Sequence, residues 1–163
     1  MVIAMVQQSR LVIATTFVIA LLLTALPMPE EAAIWRPAWV ALVLIYWCMA
    51  APERVGVVVG WMVGLFLDVM TGTLLGQHAL GLSVVAWVAH HTHRRVRVLP
   101  LWRQAITVFV LLFLYQALVL WSNGIRGIPV AATAYWTSPL VSTLLWPWLF
   151  VVLRVVRRRY AAV

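Results

Sequence analysis

Six apolar runs, parted by short polar or Pro/Gly-containing breaks, constrain this chain more than any other feature of its sequence. They cover about residues 11–26, 34–51, 55–70, 74–89, 105–121 and 135–156. Each approaches the ~20 apolar residues that cross a hydrocarbon core of ~30 Å. None alternates with the two-residue rhythm of a barrel strand, so helices are expected. The breaks are too short to hold a second domain. The expected fold class is therefore an all-α integral membrane protein of about six transmembrane helices, forming one transmembrane domain over 1–163. Only 10% of the residues are charged, where soluble domains carry about 25%, so a water-facing exterior cannot be built. The second run is the weakest. Only Ala38–Ala51 is uninterrupted, and Arg36 and Pro37 stand at its head.

Arginine placement orients the helices. All twelve basic residues are Arg. With six spans and the N-terminus inside, Arg10, Arg54, Arg94, Arg95, Arg97, Arg103, Arg154, Arg157, Arg158 and Arg159 fall on the cytoplasmic side, and only Arg36 and Arg126 fall outside. That bias places both termini in the cytoplasm. The net charge of +8 then reads as contact with anionic headgroups, with no nucleic acid as partner. Arg10 ahead of the first run resembles a signal-peptide start, but Pro27, Pro29, Glu30 and Glu31 follow in place of a small-residue cleavage pattern, so a retained span is expected. Trp35, Trp39, Trp102 and Trp121 flank runs, as interfacial indoles do.

Asp68 is the one acid well inside an apolar run. An ionised group at the bilayer centre costs at least ~2.5 kcal/mol, less near an interface, so it is a candidate functional residue by default. Steps of four from it meet Gly56, Gly60, Gly64, Gly72 and Gly76. A step of four drifts only about 40° around a helix, so Gly56 to Asp68 form a winding groove that lets another helix approach closely. Two readings stand side by side. One is an intramolecular packing groove with Asp68 capping the following helix; the other is a partner surface or ligand pocket.

Other chemistries find little footing. Cys48 is single and apolar in setting, so no disulfide or thiolate site is expected. His90, His91 and His93 have no acid nearby in sequence and sit beside Arg94, Arg95 and Arg97, which repel a metal cation. Ser83, Ser122, Ser138 and Ser142 lack a base–acid pair, and His78 with Ser83 is too slight a hint. No enzyme, metal or cofactor is expected.

Three clusters carry a family resemblance. Arg36-Pro37-Ala38-Trp39 opens the second run; Pro52 and Arg54 precede the glycine series leading to Asp68; Trp146-Pro147-Trp148, with Phe150, Arg154 and Arg157, closes the chain. In this order and length the chain resembles the rod shape-determining protein MreD family of Gram-negative bacteria, over roughly residues 10–158. The stretch Ser122–Trp136 carries none of the resemblance. The resemblance implies an inner-membrane, non-enzymatic scaffold of the cell-elongation machinery. Its partners would be MreC directly, and MreB, RodA and its transpeptidase as members of the same complex, in peptidoglycan synthesis and rod cell shape. It further implies a helical architecture shared with substrate-binding subunits of energy-coupling-factor transporters. That analogy keeps a rival reading: a small-molecule or lipid-binding subunit of a transporter with a pocket near Asp68. For Arg36 and Arg54 the resemblance implies pairing with a carboxylate or with loop carbonyls, beside the plainer role of headgroup anchoring. Trp146-Pro147-Trp148 reads as a kink with aromatic packing.

Overall fold

The computed structural model describes residues 2–33, 35–129 and 132–161. Among these the chain forms seven helices and no strand: α1 (Val2–Ala25), α2 (Glu30–Ala33), α3 (Trp39–Ala50), α4 (Val57–Thr71), α5 (Gln77–Val96), α6 (Leu101–Ile125) and α7 (Ala132–Ala161). The ends follow from local chemistry. Pro27 and Pro29 stop α1, since proline cannot donate to the helix ladder. Gly72 takes the left-handed conformation at φ 65° and turns the chain out of α4. Gly76, at φ 103°, turns it into α5.

Of the second apolar run, expected over 34–51, only the 12 residues of α3 are helical; Ile34 lies outside the described residues. Twelve residues rise about 18 Å, well short of a hydrocarbon core. Pro37 sits before the helix, and the Ala51 amide makes the closing bond to the Trp47 carbonyl. The helix is hydrophobic all round because it is the hub of the bundle. Val40 through Met49 are all buried, with α1, α5, α6 and α7 packed about them. Within this core the Trp47 indole N–H donates to Thr16 Oγ1 at 2.9 Å, and Tyr46 sits edge-on to Trp47 and Phe150.

Among the described residues two helices, α6 and Tyr135–Tyr160 of α7, are long and apolar enough to cross a membrane, fewer than the six expected. Ser9–Ala25 of α1, α3 and α4 are shorter apolar helices. The last turns of α5 bear His93, Arg94 and Arg95: the helix continues past the apolar run because Arg and His tolerate helical backbone even where hydropathy falls. Likewise Pro139 and Pro147 lie inside α7 without ending it. Near Pro139 the Ser142 and Thr143 hydroxyls donate to the carbonyls of Ser138 and Pro139, both at 2.7 Å. Ser142 Oγ also accepts the Ala38 amide at 2.9 Å, tying α7 to the start of α3. Large apolar side chains face outward throughout, among them Val58, Trp61, Phe66, Val110, Leu144 and Trp148.

Candidate functional site

Asp68 lies in the last turns of α4 and has no solvent exposure. A carboxylate so placed needs donors to replace water, and the turn from α4 to α5 supplies them. Oδ1 accepts the His78 amide at 2.8 Å, His78 Nδ1 at 2.8 Å and the Thr73 hydroxyl at 3.0 Å. Oδ2 accepts the Gly76 amide at 2.8 Å and the Ala79 amide at 3.3 Å. Two of these donors, the His78 and Ala79 amides, belong to the first turn of α5 and lack partners within their own helix, and a third is the amide of its N-cap Gly76. The negative charge also faces the positive end of the α5 dipole. Meanwhile the Asp68 carbonyl accepts the Gly72 and Thr73 amides that close α4. One residue thus ends one helix and begins the next.

The glycine series divides by position. A Cβ on Gly64 would lie 2.3 Å from Ala79 Cα and 2.6 Å from Ala79 N. On Gly60 it would meet the Leu82 carbonyl at 3.0 Å and Ala86 Cβ at 3.1 Å. These two let α4 and α5 touch backbone to backbone. Gly56 borders open space and is the N-cap of α4, outside the groove that the four-residue spacing predicts. Gly72 and Gly76 serve the turn, where positive φ favours a residue without Cβ. The groove therefore runs only through Gly60 and Gly64, and α5 fills it.

Arg36 reaches back to α1. Its Nη1 donates to the Thr24 carbonyl at 2.8 Å and its Nη2 to the Leu26 carbonyl at 2.7 Å. A guanidinium on the last carbonyls of a helix satisfies orphan acceptors and complements the dipole. Pro37 is buried beside it, and half-buried Trp39 begins α3. Arg54 bonds the Ser9 hydroxyl and lies 4.0 Å from Glu53. Trp146 is fully buried against Phe150, whereas Pro147 and Trp148 face outward. Arg54 precedes α4, at the opposite end of that helix from Asp68.

His78, set aside in the sequence as too slight a hint beside Ser83, is the ring partner of Asp68. It gives Asp68 both a backbone and a ring donor, and it lines an open cleft of about 350 Å³. Arg36, Thr71, Tyr115, Gln116 and Ser138 border the same cleft, so the first cluster of the sequence and the Asp68 turn come together there. A second polar set joins α5 to α6 nearby: Gln77 Nε2 donates to Asn123 Oδ1 at 3.1 Å, and Arg126 donates to Gln77 Oε1 at 3.1 Å. The only advance signal for either was the polar character of Gln77-His78 after a Gly. Among the described residues no group of three or more His, Cys, Asp or Glu converges as a metal site. His91 and His93 bond the carbonyls of Trp87 and His90.

An all-helical bundle with an apolar exterior, whose buried acid is occupied by its own chain, points to a small helical membrane protein with a structural polar core. The chain belongs to the MreD family, described as rod shape-determining protein MreD, which it matches over residues 5–156. It is 34% identical over 146 residues to the rod shape-determining protein MreD of Haemophilus influenzae, covering 88% of each chain. No solved structure matches it, so kinship with transporter binding subunits rests on the family resemblance alone. Family membership supports a role in rod shape determination.

Proposed function

We propose that this protein is a non-enzymatic scaffold of the cell-elongation complex. In this reading it sits in the inner membrane, docks MreC, and helps couple MreB filaments to peptidoglycan synthesis by RodA and its transpeptidase. The observation that carries the proposal is the MreD match along residues 5–156, from α1 into α7. The engagement of both Asp68 oxygens by the chain's own donors supports a structural use of the acid over a catalytic one. In the proposed topology α1 and α3 to α7 are six spans with both termini cytoplasmic. The short α3 is compatible with that because protein surrounds it: irregular backbone at its ends is tolerated at membrane depth when buried, as Pro37, Ala51 and Val55 are.

Gly60 and Gly64 are occupied by α5, so MreC docking would use exposed faces such as that bearing Trp61 and Phe66. Co-purification of the detergent-solubilised chain with MreC tests the reading. Retention of MreC by the native chain is expected, and its absence overturns the proposal. Weakened retention by Trp61→Ala/Phe66→Ala would map the face.

One observation favours a second reading, a small-molecule or lipid-binding subunit. The 350 Å³ cleft gathers Arg36, His78, Tyr115 and Gln116 close to Asp68. Such a site predicts a ligand that raises the melting temperature and loses that effect with His78→Ala.

A further inference from the structure

At the far end of α5 from Asp68 a cleft of about 490 Å³ opens between the end of α3, the α5–α6 turn and the last turns of α7. Four arginines border it, Arg97 from the turn and Arg154, Arg157 and Arg158 from α7, with no acid among the described lining residues. The buried Tyr46 hydroxyl faces the Arg157 guanidinium, with Arg154 and Arg97 in electrostatic range. Because α6 starts in the same wall at Leu101, the positive end of a 25-residue helix adds to the field.

Gln104 makes this more than a basic surface. It is 4% exposed, donates Nε2 to the Leu99 carbonyl at 3.0 Å, and leaves Oε1 buried with no hydrogen-bond partner. Buried acceptors are rarely left so, and one in the wall of a cleft marks where a donor belongs.

The geometry points to this cleft as a binding site for the headgroup of an anionic glycerol phospholipid. The phosphodiester suits guanidinium forks, which hold planar oxygen pairs, and a headgroup hydroxyl is the donor that Gln104 Oε1 lacks. An ethanolamine headgroup would bring a cation among four arginines, and choline carries no N–H or O–H to offer. Basic pockets between helices at a cytoplasmic face are suited to such headgroups. The inference goes beyond the scaffold reading and shares with it only the placement of this end at the inner leaflet.

The test uses the purified full chain, titrated with phosphatidylglycerol or phosphatidylcholine in mixed micelles, with native mass spectrometry and melting temperature as readouts. Phosphatidylglycerol is expected to stay bound and raise the melting temperature, and phosphatidylcholine to do neither. Arg154→Gln/Arg157→Gln should lose affinity by roughly fivefold per arginine. Arg158→Gln, at an exposed position that leaves the fold intact, should show the single step, and Gln104→Leu should narrow the preference between the two lipids. Arg94→Gln/Arg95→Gln removes the same charge outside the cleft and should change little. Equal retention of both lipids overturns the site, as does an equal loss in the Arg94/Arg95 variant. Competition by millimolar glycerol phosphate would assign the cleft to a soluble anion, and competition by a poly-glutamate peptide would assign it to an acidic protein segment. Either result overturns the lipid site.

Discussion

Asp68 Oδ1 and His78 are joined twice, through the His78 amide and through its ring Nδ1, each at 2.8 Å. The pair spans the reversal between α4 and α5, so the carboxylate fixes both the angle of the turn and the first turn of the second helix. Asp68→Ala strands several buried donors, the capped amides of α5 among them, at about 1–3 kcal/mol each. A stability loss on the order of 3 kcal/mol is expected, read as a lower melting temperature and a lower level of folded protein. Asp68→Asn keeps one acceptor oxygen and should lose roughly half as much. Unchanged melting and normal rods in a cell-shape complementation assay with Asp68→Ala would show that the cap is dispensable.

Alanine substitutions along the glycine series should rank as Gly64, then Gly60, then Gly56. At Gly64 the new methyl group meets backbone atoms that cannot swing away, 2.3 Å off, so α4 and α5 must part. Overpacking of this kind costs about 1–3 kcal/mol or more. At Gly60 contacts of 3.0–3.3 Å demand smaller shifts, and at Gly56 nothing lies within 4 Å. Melting temperatures of the three variants check the order; an equal response at Gly56 and Gly64 contradicts it.

Arg36→Gln should loosen the end of α1. The guanidinium satisfies two carbonyls ten and twelve residues back, and charged hydrogen bonds contribute about 1.5–3 kcal/mol each. Lysine carries the charge without the fork, so Arg36→Lys should restore only part. Hydrogen exchange over residues 20–26 is the readout, with faster exchange expected in Arg36→Gln and an intermediate rate in Arg36→Lys.

The proposed topology predicts that a reporter active only outside the cytoplasm is silent when fused after Val98 or Arg159 and active after Gly127. Activity after Arg159 would require an odd number of spans and overturn the six-span topology.

Much of the helical order was legible because proline and glycine punctuate it: Pro27 and Pro29 stop α1, and Gly72 and Gly76 bracket the turn before α5. The carboxylate stood out for the cost of an ion among apolar residues. Its ring partner did not, because Asp68 and His78 lie ten residues apart and meet only after the chain reverses on two left-handed glycines. Spacing by four marked five glycines alike, yet of these only Gly60 and Gly64 pack against α5; a period gives a stripe without saying where the neighbouring helix begins. The four arginines of the basic cleft come from stretches near residues 97 and 154–158, and tertiary packing alone brings them together. Helix ends at charged residues were hidden too, since hydropathy tracks burial and α5 continues after its apolar part stops.

The shortness of α3 has a geometric effect on the whole bundle. Its twelve residues rise about 18 Å, about 40% less than a hydrocarbon core of about 30 Å. That missing length appears as hollows at both poles: the cleft beside His78 is walled by Pro37 to Ala41 at one end of α3, and the arginine cleft by Tyr46, Met49 and Ala50 at the other. One short helix thus borders a cleft at each of its ends, and a further turn of helix at either end would intrude on the cleft there.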